Sequence, residues 1–421
     1  MTLKNTINSF GVCLVVISFK VLLDYIYRII ISPIYSSTGF VNNNTLYYYV
    51  ISWFFLLSLL PFIVGLCKRS SFTNSVLIVL TGLSLIPTTT IIGYIGVDTK
   101  FVVLSYIYWL GLFSYNLIFP KIKINANIKT NKIFVLICAS LCIAVLYVSW
   151  KFTGFRFHWG ITDVYDLRFE AREYDIGTIL NYIMNAANTL LPVILVYFLL
   201  KSNKIMSIIL ILVILLNFGI AAHKSVLFSL ILAIVGFYLF RYKRTVYAFV
   251  ILLLINLLGV MEYVFMKSYL VTSLFTNRLL LVPSLLNYQY YDFFKNHEFD
   301  YFRQGFLRWF GVESPYTDNI AFMIGGIYSG DYEIRANNGL FSDAYFNAGF
   351  IGIVFFPLIL ICICKLIDSV SINMDERLMF VPVFTISLNF LSTTFTTALL
   401  TGGIILMVIL FICIPKLTST D

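Results

Sequence analysis

The feature that most constrains this chain is a succession of unbroken apolar runs. A helix needs roughly 20 such residues to cross a hydrocarbon layer ~30 Å thick, at about 1.5 Å per residue. Twelve stretches qualify: residues 8–31, 45–67, 74–96, 101–119, 132–151, 178–200, 205–222, 224–240, 245–267, 346–366, 377–395 and 398–414. They are continuous and rich in Leu and Ile, without the period-two alternation of a membrane β-barrel, so they predict helices. Only 12% of the 421 residues are charged and 60% are hydrophobic, too little polar material to cover a water-soluble globule of that size. The expected fold is therefore an all-α polytopic membrane protein, a single membrane domain over residues 1–421 with about 12 transmembrane helices. The run behind Lys4 lacks a small-residue cleavage site, which predicts a retained first span.

Charge predicts the orientation. Lys4, Lys68, Arg69, Lys121, Lys123, Lys129, Lys132, Lys201, Lys204, Arg241, Lys243, Arg244, Lys365, Arg377 and Lys416 all fall on one side of a twelve-span chain. Only Asp368, Asp375, Glu376 and Asp421 oppose these fifteen there, while the other side's short turns hold just Lys100 and Lys224. Basic loops stay in the cytoplasm, so both termini are expected inside. The net charge of +9 is thus a topological signal and gives no reason to expect nucleic acid.

Two segments on the opposite side are too long for turns, residues 152–175 and 268–345. The second predicts a helix over 277–295, kinked near Pro283, with Tyr288, Tyr290, Tyr291, Phe293 and Phe294 clustered on it. Such aromatics suit both stacking on sugar rings and the membrane interface. No internal repeat relates the two halves, which weakens a transporter reading. All seven cysteines lie in apolar runs, and no Cys/His set completes a four-ligand metal site.

Within the first run Lys20, Asp24 and Arg28 recur every four residues, as an intramembrane ladder of alternating sign would. Glu262 has no partner that the sequence names. Asp163, Asp166, Glu170 and Glu173 are interspersed with Arg168 and Arg172, a pattern of self-neutralised pairs or of a phosphate clamp.

The segment closing the large loop reads Ala336-Asn337-Asn338-Gly339-Leu340-Phe341-Ser342-Asp343-Ala344-Tyr345-Phe346-Asn347-Ala348-Gly349 and continues to Gly352. It resembles the signature of O-antigen polymerases, the Wzy-type polymerases of oligosaccharide repeat units. The 24–39 segment, His223-Lys224-Ser225 and the 278–294 pattern agree with that resemblance. It implies a membrane glycosyltransferase of the GT-C-like class in the bacterial cytoplasmic (inner) membrane, acting on its outer face in lipopolysaccharide or similar polysaccharide biosynthesis. The substrate would be an undecaprenyl-pyrophosphate-linked oligosaccharide, joined with inversion and without a metal ion or other cofactor. A chain-length regulator and a translocase of the same pathway would be partners.

A pyrophosphate leaving group gathers negative charge, so fixed cations should carry the catalysis. Lys224 and Arg278 are the expected clamp, with Asp343 as the base or hydroxyl-orienting group; Arg168, Arg172, His223, Arg335, Asn337, Asn338 and Tyr345 are expected to bind substrate. Related ligases carry His-Asn where this chain has Asn337-Asn338, and asparagine cannot accept a proton at neutral pH. Arg303 and Arg308 read as surface cations. The alternatives are a lipid-linked oligosaccharide translocase and an O-antigen ligase.

Overall fold

The computed structural model describes residues 9–120, 131–157, 167, 169–171, 173–221 and 223–415. Among these residues the chain is helical, with no strand. Nine of the described helices are long and apolar enough to cross a membrane: Ser9–Thr38, Leu46–Lys68, Phe72–Ile95, Thr99–Ile118, Lys132–Thr153, Thr178–Leu200, Tyr242–Met266, Phe341–Val370 and Phe395–Cys413. The chain is thus a multi-pass helical membrane protein. The other three expected runs form shorter helices, Lys204–Ile220, Lys224–Leu239 and Phe380–Ser392.

The helices group into two compact units, each drawn from separated parts of the chain. The first comprises Met1–Pro120, Lys243–Cys364 and Ser387–Thr396; the second comprises Lys121–Tyr242, Lys365–Ile386 and Thr397–Asp421.

The first unit is built around Phe72–Ile95, whose apolar window is wholly buried. Leu, Ile and Val alone would make this rod greasy on every side, but it also carries small polar residues that must find partners away from water. Thr81 and Thr89 donate back to the carbonyls of Leu77 and Ile86. Ser75 reaches Thr245 at 3.0 Å, and Asn74 accepts from Asn116 Nδ2 at 2.8 Å. A π turn over Thr81–Leu85 precedes Pro87, which lacks the amide proton that an α-helix interior requires. In the second unit Thr178–Leu200 is the hub, packed by Asn131–Val148, Lys204–Ala221 and Lys224–Leu239.

Two expected spans are not single rods. Phe341–Val370 contains a break at Ala348 and Gly349, where Gly349 has φ 54° and ψ −133°, a region essentially reserved for glycine. The stretch from Phe395 stops at Leu399 and resumes at Ile404, with Gly403 left-handed at φ 77° between the pieces. The helix expected over 277–295 is two segments: a wide π-helical Thr272–Leu281, then α-helical Val282–Phe294 with Pro283 in its first turn.

Candidate functional site at the 336–352 junction

The segment that closes the large loop is a structural junction inside the first unit. Asn338 is buried, and its Nδ2 lies 3.0 Å from both the Pro283 carbonyl and Asn287 Oδ1, and 2.7 Å from Ser342 Oγ. Ser342 Oγ in turn donates to Asn287 Oδ1 at 2.8 Å. Gly339 permits a backbone approach closed to any side chain, since an added Cβ would lie 2.1 Å from the Phe390 carbonyl oxygen. Its own amide donates to the Leu391 carbonyl.

Asp343 follows one turn later, 1% exposed. One carboxylate oxygen accepts from Asn347 Nδ2 at 2.8 Å, and the other accepts from the Phe395 amide. Both oxygens therefore have protein donors. A cavity of about 10 Å³ beside it, walled in part by Tyr108, Leu360 and Thr393, is at the threshold of holding one water. Asn347 also fixes the loop, because its Oδ1 accepts from the Phe302 amide, while the Asp300 and Tyr301 amides cap the carbonyls of Phe346 and Asn347. The break at Ala348–Gly349 frees those carbonyls. Gly349 is needed for space as well as for φ, as an added Cβ would meet the Phe299 ring at 2.7 Å.

The remaining expected residues are dispersed. Asn337 and Arg335 are exposed, the latter stacked over Phe322 with its guanidinium carbon 4.9 Å from the ring centre. Tyr345 is buried against Tyr291, Phe299 and Phe341. Arg278 is exposed near the end of the π-helical segment and makes no hydrogen bond or ion pair among the described residues. That segment is anchored by Thr276, whose hydroxyl donates to Asn256 at 2.6 Å. Lys224 and His223 are exposed and belong to the second unit, at the start of Lys224–Leu239, where His223 is the N-cap residue. Arg168, Arg172, Asp163 and Asp166 lie outside the described residues.

Two sequence expectations change, and two carboxylates gain partners that the sequence did not name. Arg303 is not a free surface cation: it bonds Glu298 at 2.7 Å and the carbonyls of Phe299 and Asp300, and so shapes the loop that docks on Asn347. In the first helix Lys20 and Asp24 do pair, buried, and Thr90 donates to Asp24 at 2.9 Å. Arg28 leaves that ladder, because the helix widens to π geometry over Tyr27–Ile31 and Arg28 is exposed. Glu262 caps the chain after its span, accepting from Ser268 Oγ and from the amides of Leu270 and Val271. Glu170 is held by Arg156, at 2.9 Å, and by the Tyr174 hydroxyl. The Tyr174 bond and then Arg156 keep its carboxyl below the ordinary glutamate range.

Sequence reasoning missed one cluster on the loop side. Tyr291 donates to Asp98 at 3.0 Å, Lys295 bridges Asp292 at 2.8 Å and approaches Asp98 at 4.0 Å, and Tyr328 donates to Asp292 at 2.6 Å. The Asp292 bond raises the Lys295 pKa, and burial followed by the Asp98 bond raises that of Tyr291. The signal was present as Tyr288, Tyr291, Asp292 and Lys295 at offsets of three, four and seven, one face of a helix. Asp98 and Tyr328 are too distant in sequence to be assigned to it. Among the described residues no three His, Cys, Asp or Glu side chains converge as metal ligands. Comparison of the chain with protein-family models, with curated proteins and with solved structures found no match.

Proposed function

We propose that this chain is a polysaccharide polymerase of the O-antigen type, extending a lipid-pyrophosphate-linked oligosaccharide on the outer face of the cytoplasmic membrane. The observation that carries the reading is the coincidence, in one unit, of the 336–352 junction with the Tyr/Asp/Lys face of helix Val282–Phe294. Aromatic rings and carboxylates recognise sugars by stacking on apolar ring faces and accepting from hydroxyls; on this face Tyr288, Asp292 and Lys295 are at least partly exposed, while Tyr291 is buried and holds Asp98 from within. Asn338 bonds that same helix through the Pro283 carbonyl and Asn287, so the resembling segment and this face are in direct contact within the first unit.

In the proposed step a hydroxyl of the acceptor repeat unit attacks the anomeric carbon of the donor chain. The new glycosidic C–O bond forms as the bond from anomeric carbon to phosphate oxygen breaks, and the configuration inverts. Undecaprenyl pyrophosphate leaves with the bonding electron pair, and the hydroxyl proton passes to solvent. Arg278 is suited to the departing phosphates because it is exposed, unpaired among the described residues and bidentate. Asp343, with both oxygens engaged, is assigned to positioning the junction rather than to accepting the proton.

A deletion strain tests the reading. A polymerase predicts loss of long surface polysaccharide with single repeat units still attached. Loss of single units as well would instead favour a translocase or a ligase.

A further inference from the structure

A pocket of about 250 Å³ lies in the first unit between helices Leu46–Lys68, Phe72–Leu80 and Thr99–Ile118, well separated in sequence from the 336–352 junction. Its wall is apolar, with Pro61, Phe62, Leu66 and Phe113, the rings of Phe62 and Phe113 stacked at 5.8 Å. Gly65 leaves the middle open, since a Cβ added there would meet nothing within 4 Å. Leu117, 49% exposed, and exposed Pro61 stand at its edge, so the pocket opens sideways from a helix surface that must face hydrocarbon.

One end is polar. Arg69 lines it, exposed, with a guanidinium that has no hydrogen bond or ion pair among the described residues. Asn116 lines it too, 4% exposed; its Nδ2 is spent on Asn74, and its Oδ1 has no hydrogen-bond donor among the described residues. A buried carbonyl oxygen without a donor keeps this end of the slot polar. The pocket thus joins an apolar slot, a free cation at its mouth and a buried acceptor.

We propose that this pocket binds one acyl chain of an anionic glycerophospholipid, with the phosphate on Arg69. Basic pockets between transmembrane helices are established hosts for such headgroups. Charge selects an anionic lipid over a zwitterionic one. The volume admits part of one chain and not a whole lipid.

The test is a lipid titration of the full-length purified protein followed by native mass spectrometry. Phosphatidylglycerol, phosphatidylcholine with the same chains, and inorganic phosphate are the three probes. The expected result is tight binding of phosphatidylglycerol, at least about tenfold weaker binding of phosphatidylcholine, and no competition from inorganic phosphate. Gly65→Leu, which fills the slot, and Arg69→Gln, which removes the charge, should each weaken phosphatidylglycerol by about tenfold or more. Lys68→Gln, an exposed neighbour outside the pocket, should bind as the wild type does. The two variants probe opposite ends, so a folding defect in one leaves the other decisive. Wild-type binding by Gly65→Leu or Arg69→Gln, or equal binding of the two lipids, overturns the proposal.

Discussion

Asp343 is the residue at which structure and proposed chemistry meet most sharply. A group that acts only as a base can be removed without cost to the fold, but Asp343 accepts from Asn347 on one side and from the Phe395 amide on the other. Asp343→Asn keeps the shape and exchanges one acceptor for a donor, leaving a buried amide facing another donor. The expected cost is about 1–3 kcal/mol, read as a lower thermal midpoint of the purified protein and less of it in the membrane. An Asn variant as stable and abundant as the wild type, yet without activity, would return Asp343 to the role of base. The resembling segment singled out Asn338 and Asp343 as candidate site residues, but the partners of neither, nor of Gly339, were legible. Pro283, Asn287 and Phe390–Phe395 lie some fifty residues away on either side, and one sequence carries no record of which side chains meet.

Among the elements, hydrophobic length announced the nine long helices of the described residues, because a bilayer sets a minimum length for a span. The breaks were harder to read. Gly349 interrupts a run apolar on both sides, and Gly402 and Gly403 interrupt another, so window hydropathy passes over both positions. The wide helix Thr272–Leu281 was hidden for a different reason: π geometry follows from packing rather than composition. Its carboxyl-terminal turn carries Arg278, and its tie to the preceding span is the Thr276–Asn256 bond. Thr276→Val keeps the shape and leaves Asn256 Oδ1 without that donor. It should lower stability by about 0.6–1.7 kcal/mol, measured as a shift in thermal midpoint in detergent. The double variant Thr276→Val/Asn256→Leu should recover part of the loss, because no orphaned acceptor remains. Strictly additive losses would show that the bond does not couple these helices.

At the scale of the whole molecule, charge predicts orientation and the proposed chemistry depends on it. Reporters fused after Arg69, Lys132, Lys204 and Arg244 should behave as cytoplasmic, and reporters near Asn296 or Glu170 as external. An internal signal near Asn296 would put the helix that bears Tyr291 and Lys295 on the wrong side for a lipid-linked substrate displayed outside. The grouping into two units was not legible in the sequence, since each assembles segments hundreds of residues apart and no repeat marks the division. The central claim is that the exposed guanidinium of Arg278 carries the leaving pyrophosphate. The direct measurement is the surface-polysaccharide ladder of a deletion strain complemented with Arg278→Ala or the exposed control Arg308→Ala, normalised to membrane protein. Removal of an electrostatic donor of this kind costs on the order of 100-fold in rate, so Arg278→Ala should leave single repeat units without long chains, while Arg308→Ala should give a full ladder. A full-length ladder from Arg278→Ala would contradict the account.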